Sequence, residues 1–160
     1  MADVLMVANP QEYTILTPPG RQETCPCEVQ FLSATEFCDD EQLYRAYEEE
    51  LWRHFRTRGK RASIERCASH FAVAHEGRSE GRRYLGSACV VTLGAKWLVE
   101  YVVVKREIQS RGIGSWIMNV VMRNARLLKA KWVILNCDPG RENGKLLRFY
   151  QKFGFTVVAS

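Results

Sequence analysis

Between residues 97 and 129 the repeat of apolar side chains changes from the rhythm of a strand to that of a helix, and the change falls on Gly112-Ile113-Gly114. Residues 97–104 are almost continuously β-branched or aromatic, as a strand buried on both faces must be. After the glycines, Ile113, Ile117, Val120, Val121 and Leu128 recur at spacings that place them on one helical face, which predicts a helix from Ile113 to about Lys129. A second β-branched and aliphatic run, Trp132–Cys137, follows at once. Strand, helix and strand joined by short turns require a parallel strand pair with a right-handed crossover, and so a sheet with helices packed on its faces.

The flanking sequence extends this unit in both directions. Residues 1–27 hold Pro10, Pro18, Pro19 and Pro26 with little periodicity and read as an irregular leader with one strand at 13–16, ahead of a single domain at 28–160. A strand is expected at 28–32. Asp39 or Asp40 then caps a helix whose stripe is Leu43, Tyr47, Leu51 and Phe55. Its charges run from acidic at the start to basic at the end, which complements the macrodipole and reads as a solvated face. A basic connector at 59–69 leads to strands at 70–75, 84–93 and 97–104, an antiparallel meander whose first loop is 76–83. A closing helix at 141–153 and a last strand at 155–158 complete an α/β fold with a mixed sheet.

The formal net charge is +5, and from Lys105 to Lys131 the only acid is Glu107. Such a stretch attracts anions, either nucleic acid or a nucleotide cofactor; no base-stacking motif favours nucleic acid. No run of about 18 apolar residues exists, and residues 1–8 carry Asp3 in place of a basic start, so a cytoplasmic protein without membrane contact is expected. The six cysteines are irregularly spaced, and Cys89 and Cys137 have core-like settings, so reduced thiols are expected. Cys25-Pro26-Cys27 lacks a second ligand pair, and no metal site is assigned to it.

The chemistry concentrates in the turn. In Gln109-Ser110-Arg111-Gly112-Ile113-Gly114-Ser115 the glycines let backbone approach a ligand, and the first helical turn offers unpaired N–H groups at the positive end of a dipole. A pyrophosphate suits this cradle, with Arg111, Lys105 and Arg106 adding charge. Glu100 is the one acid inside the apolar strand 97–104, a setting that raises a carboxyl pKa toward that of a general base. Strict alternation places Glu100 on one face with Leu98 and Val102, and Tyr101 on the other. His54, His70 and His75 are rival proton carriers; His70 and His75 flank a strand and read as structural. Asp138 reads as a turn cap.

Gln109, Gly112 and Gly114 stand at the fixed positions of a signature that resembles that of the GNAT N-acetyltransferases. Asn143, then Tyr150 within Phe149-Tyr-Gln-Lys-Phe-Gly-Phe155, resembles the same family's closing helix. The resemblance spans about residues 96–155. It implies acetyl-CoA as cosubstrate, no metal, and two splayed parallel strands holding the pantetheine arm, with Val102, Val103 and Val104 lining it. It also implies binding of the cofactor by Gln109, Ser110, Arg111, Gly112, Ile113, Gly114, Ser115 and Asn143, direct attack by an amine, and Tyr150 as the acid that protonates the leaving thiolate. Cys137, near the expected thioester, is read as core, because a cysteine nucleophile would need a two-step route that the family seldom uses.

Within the family the runs at 99–104, 133–138 and 149–155 look most like glucosamine-6-phosphate N-acetyltransferases, although Tyr101 stands where those enzymes carry an aspartate. The acceptor is therefore expected to be a small-molecule or peptide amine, such as an amino sugar phosphate; a protein amine or a polyamine is the alternative. A non-catalytic acyl-CoA-binding module with a protein partner is a further alternative reading. The family usually adds one more strand after the last one expected here. Its place is expected to be taken by the leader or by a partner subunit in a homodimer, unless the sequence is a truncated form.

Overall fold

The computed structural model describes residues 3–14, 27–55, 69–77, 81–109 and 111–158. Ser110, Cys25, Cys67, residues 15 and 16 of the expected first strand, and most of the basic connector lie outside them. Strands β1 (Val4–Ala8), β2 (Cys27–Ser33), β3 (His70–Glu76), β4 (Arg83–Leu93), β5 (Lys96–Val104), β6 (Trp132–Cys137) and β7 (Thr156–Val157) form one sheet in the order β2-β3-β4-β5-β6-β1-β7. Helices α1 (Ala34–Asp39) and α2 (Glu41–Phe55) cover one face, and α3 (Ile113–Leu127) and α4 (Lys145–Gln151) cover the other. The sheet is mixed: β5 and β6 run parallel and the other neighbours antiparallel. None of the described helices is long and apolar enough to cross a membrane.

The leader contradicts the expectation of irregular structure. Val4–Ala8 is a strand inserted between β6 and β7, pairing Val4 with Cys137 through Ala8 with Val133 on one side and Met6 with Val157 on the other. The chain's own N-terminal strand thus stands where a partner's strand was the other expectation. Tyr13, expected in a strand, lies outside any, and its role is anchoring: its hydroxyl donates to Asn119 Oδ1 at 2.6 Å in the core, and its carbonyl accepts from Arg126 Nη1 at 2.8 Å. Gln11 Nε2 donates to the carbonyls of Arg126 and Ala130 at 3.2 and 3.1 Å, which ties the same segment to the end of α3.

Helix α1 escapes the periodicity reading because it is too short to show a stripe, yet its start is written in the chain. Ser33 Oγ accepts from the Glu36 N–H at 3.1 Å, and Glu36 Oε1 accepts from the Ser33 N–H at 2.9 Å. Asp40 then caps α2 through its Oδ1, which accepts from the Leu43 N–H at 3.2 Å. Leu43, Tyr47 and Leu51 are buried as expected, packed with Phe37 and Phe71. Glu50 is buried with them at 3% exposure, so not every charge of α2 belongs to a solvated face. Helix α3 ends at Leu127, two residues before the expected end, and leaves Leu128 exposed off its apolar face.

Candidate functional site

Strands β5 and β6 pair only over Lys96–Trp132, Trp97–Val133 and Leu98–Ile134. Both then run on, β5 to Val104 and β6 to Cys137, without further ladder partners for each other. The divergence has a local cause in β5. Cys89 of β4 faces Glu100 and Ser87 faces Val103, so Tyr101 and Val102 together stand against Ala88. This is a β-bulge, and Tyr101 carries its strain with φ 49°. A bulged strand bends, whereas β6 is held by β1 from Val133 to Cys137. The two therefore part on the side of β6 away from β1.

The bulge also overturns the alternation expected of β5. Glu100 faces the α1–α2 side with its partner Cys89, and Tyr101 lies on that same side, packed in the α2 core. Val102 turns to the other face, with Val104, against the α3 core. Val103 is 2% exposed in the α2 core. The three valines thus lie along the part of β5 that β6 leaves without partners, where the backbone is what they offer in common. Above them β4 comes so near that a Cβ on Gly86 would sit 2.5 Å from the Val103 carbonyl oxygen. Only glycine fits there.

The turn after β5 has the form the glycines require. Lys105 N–H donates to the Leu85 carbonyl at 2.9 Å, a short 3₁₀ turn spans Arg106–Ile108, and Gln109 Nε2 donates back to the Val104 carbonyl at 3.1 Å. Gly112 caps α3 in the left-handed region at φ 77°, with no side chain serving as its cap. The first N–H groups of α3, those of Ile113, Gly114 and Ser115, therefore face outward at the positive end of the helix dipole. Ile113 is buried and contributes backbone only; Arg111 is exposed beside it. A Cβ at Gly114 would touch the Phe149 ring at 3.4 Å and Val104 at 3.7 Å, which places this turn against α4 and the parted edge of β5. A nucleotide-bearing thioester fits these residues: diphosphate at the α3 start, extended arm along the unpaired strand backbone.

Tyr150 lies on α4, 6% exposed, with its ring edge-on to Phe149 and Phe155. Burial, then the neighbouring Cys137 thiol, raises its pKa, so it stays protonated. Cys137 ends β6 at 2% exposure and donates to the Asp138 carbonyl at 3.6 Å. Burial and the carboxylates of Asp138 and Asp3 push its thiol up, away from the thiolate a nucleophile needs. Asp138 caps its turn by accepting the Gly140 N–H at 3.0 Å. Asn143 is not in a regular helix: residues 141–144 form a 3₁₀ segment in which Glu142 and Asn143 have φ 51° and 55°, and α4 begins only at Lys145. The Asn143 side chain is exposed, and its carbonyl accepts from Arg148 Nη1 at 3.0 Å.

The end of α2 stands at this end of the sheet, and of its residues there the sequence reading passed over Glu50. Phe55, the last residue of α2, packs edge-on against Tyr101 with ring centroids 4.8 Å apart, so the end of α2 abuts the bulge. Beside it His54 Nε2 lies 3.5 Å from Oε2 of the buried Glu50. The spacing of Glu50 from Leu43 and Tyr47, seven and three residues, was the available signal that this acid shares the apolar stripe.

The acetyltransferase (GNAT) domain family matches residues 67–157, more than half of the chain. No curated protein matches its sequence. A GCN5-related N-acetyltransferase from Sphaerobacter thermophilus superposes with a TM-score of 0.65 at 16% identity over 98% of this chain and 49% of that one. An IAA acetyltransferase from Bacillus cereus gives 0.62 at 16% identity over 83% and 79%. The glucosamine N-acetyltransferase region of a fungal multi-domain β-N-acetylglucosaminidase gives 0.60 at 13% identity over 99% of this chain and 20% of that one. In two further solved structures the chain spans 57% and 60% of the matched protein. Identities this low carry the fold alone, but the family match covers the bulged strand, the glycine turn and α4 together, and on it the chain belongs to the GNAT acetyltransferases.

Proposed function

We propose that the chain transfers the acetyl group of acetyl-CoA to a primary amine by direct attack, with both reactants bound at once. The observation that supports this most is the parting of β5 from β6 directly beside the left-handed Gly112 turn. When bound, acetyl-CoA supplies an activated acyl carbon and a thiolate leaving group. Gln109, Arg111 and the N–H groups from Gly112 to Ser115 hold the diphosphate, with Ser110 and Asn143 carried from the family signature. The backbone of Val102 to Val104 orients the arm.

Glu100 faces the α2 side of the sheet, where a cationic amine approaches, and draws the ammonium by charge. It takes the first proton directly or through water. As the N–C bond forms and the C–S bond breaks, Tyr150 donates its proton to the sulfur, and the second amine proton restores the phenol. A phenol held protonated by burial is suited to donating at that moment.

A small-molecule amine bearing an anionic group, such as an amino sugar phosphate, suits the exposed Arg106 and Arg141 at this end of the sheet. Calorimetry with coenzyme A and acetyl-CoA, followed by a thiol-release assay over amino sugar phosphates, polyamines, aminoglycosides and basic peptides, tests the reading. Absence of heat from either thioester or thiol, with the protein folded, would overturn it.

A further inference from the structure

We infer that His54, held by the buried carboxylate of Glu50, is the proton acceptor in which the path from the acceptor amine ends, with Glu100 holding the ammonium and passing its proton on. The inference rests on the reading of the cleft as an acetyl-transfer site.

The placement comes from three elements. Helix α2 ends against the β5 bulge through the Phe55–Tyr101 contact, and Glu100, paired with Cys89, lies on that same side of the sheet just before the bulge. His54, one residue before Phe55, is 16% exposed and so retains a route to solvent or substrate. Charges from the other elements reach it from Arg106, in the turn after β5, and Arg141, in the segment after β6. His54 thus belongs to the end of the sheet where the two strands part.

Its orientation comes from α2 itself. Glu50 is 3% exposed, and its two oxygens are divided: Oε1 accepts from Arg53 Nη1 at 2.9 Å and Oε2 lies 3.5 Å from His54 Nε2. A carboxylate on Nε2 favours the tautomer protonated there and leaves the Nδ1 lone pair as the base. Burial lowers the pKa of His54, and Arg106 and Arg141 add to this against the opposing pull of Glu50. The imidazole is therefore neutral at neutral pH, as an acceptor must be. In the transfer, Nδ1 takes one proton from the ammonium through Glu100 or a bridging water and later returns it to solvent. The other amine proton follows the Tyr150 route, so charge and protons balance. Glu50 is a positioning residue.

The pH dependence of kcat and KM for the full chain, with an acceptor found by thiol release, tests this. His54→Gln should lower kcat on the order of 10²-fold or more and abolish the acidic limb of the profile, with acetyl-CoA binding by calorimetry unchanged. Glu50→Gln removes the charge that supports the imidazolium, so the limb should move to lower pH; Arg106→Gln removes an opposing charge and should move it higher. These opposite displacements are not produced by a structural defect. Histidine proton NMR on the same variants reads the titration of His54 directly should turnover in Glu50→Gln be lost through instability. A His54→Gln enzyme that keeps its kcat and its acidic limb overturns the assignment while leaving acetyl transfer intact. A native protein that binds acetyl-CoA but acetylates no amine overturns both.

Discussion

Val4, the first residue of β1, stands directly opposite Cys137, the last residue of β6. The N-terminal strand therefore reaches the end of β6 and holds that strand's far edge, beside the bulged β5. Because β1 also pairs with β7, it joins the end of the chain to the centre of the sheet.

Met6 lies at the middle of that strand with no exposed surface, paired with Leu135 on one side and Val157 on the other. Met6→Ala should cost about 2–5 kcal/mol, read by denaturant unfolding. Removal of residues 1–9 should leave a chain that aggregates, since β6 and β7 would both present bare edges. An unchanged midpoint in Met6→Ala would show that the strand is an appendage.

The buried pair Tyr13–Asn119, 2.6 Å apart, fastens the next segment. Tyr13→Phe leaves the Asn119 carbonyl oxygen without its donor and should cost about 1–3 kcal/mol, with loss of protection at the end of α3 in hydrogen exchange.

What the sequence disclosed and what it hid differ by the range of the interactions. Strands β3 to β6 and helix α3 carry long apolar repeats, and the Gly112 turn is forced by local sterics, so all were legible. The bulge was not: Tyr101 occupies φ 49° without being glycine, asparagine or aspartate, because the packing of Phe55 and the close pass of Gly86 over Val103 impose it from outside the strand. Glu100 keeps the face it shares with Leu98, but the faces of Tyr101 and Val102 were misassigned for that reason. β1 was hidden because five apolar residues near prolines become a strand only when β6 and β7 supply partners. Glu142 and Asn143 broke an expected helix by turning left-handed, which no apolar repeat records.

Gly86 converts the bulge into a stability measurement. Its Cβ would lie 2.5 Å from backbone oxygen, 3.1 Å from Val104 Cα and 3.2 Å from Ile117 Cδ1, so backbone must shift. Gly86→Ala should cost about 1–3 kcal/mol. It should also weaken coenzyme A binding, because the displaced strand is the one that diverges. Stability lost with binding intact would detach the bulge from the ligand site.

Tyr150→Phe removes a hydroxyl while keeping the ring between Phe149 and Phe155, so folding should hold. If the phenol donates to the leaving sulfur, kcat falls by about 10²-fold with acetyl-CoA affinity retained; equal rates in both proteins would reduce Tyr150 to packing.

Acid should loosen the fold through His75, which is 1% exposed, with Nε2 2.9 Å from Gln30 Oε1. Burial lowers its pKa below the ordinary 6.5, and Arg82 adds to this while Glu28 and Asp40 oppose it. In the unfolded chain the imidazole takes up its proton at the ordinary value, before the folded state does. The unfolded state thus binds more protons across that window, and stability falls as pH drops from 6.5 through the folded value, while remaining level above it. His54, shifted in the same direction, adds to the slope. Thermal melts from about pH 7 to pH 5.5 should show Tm declining, and His75→Gln should flatten the decline while lowering Tm at neutral pH through the altered packing. An identical decline in the variant would assign the acid sensitivity to other groups, with His54→Gln the next to test.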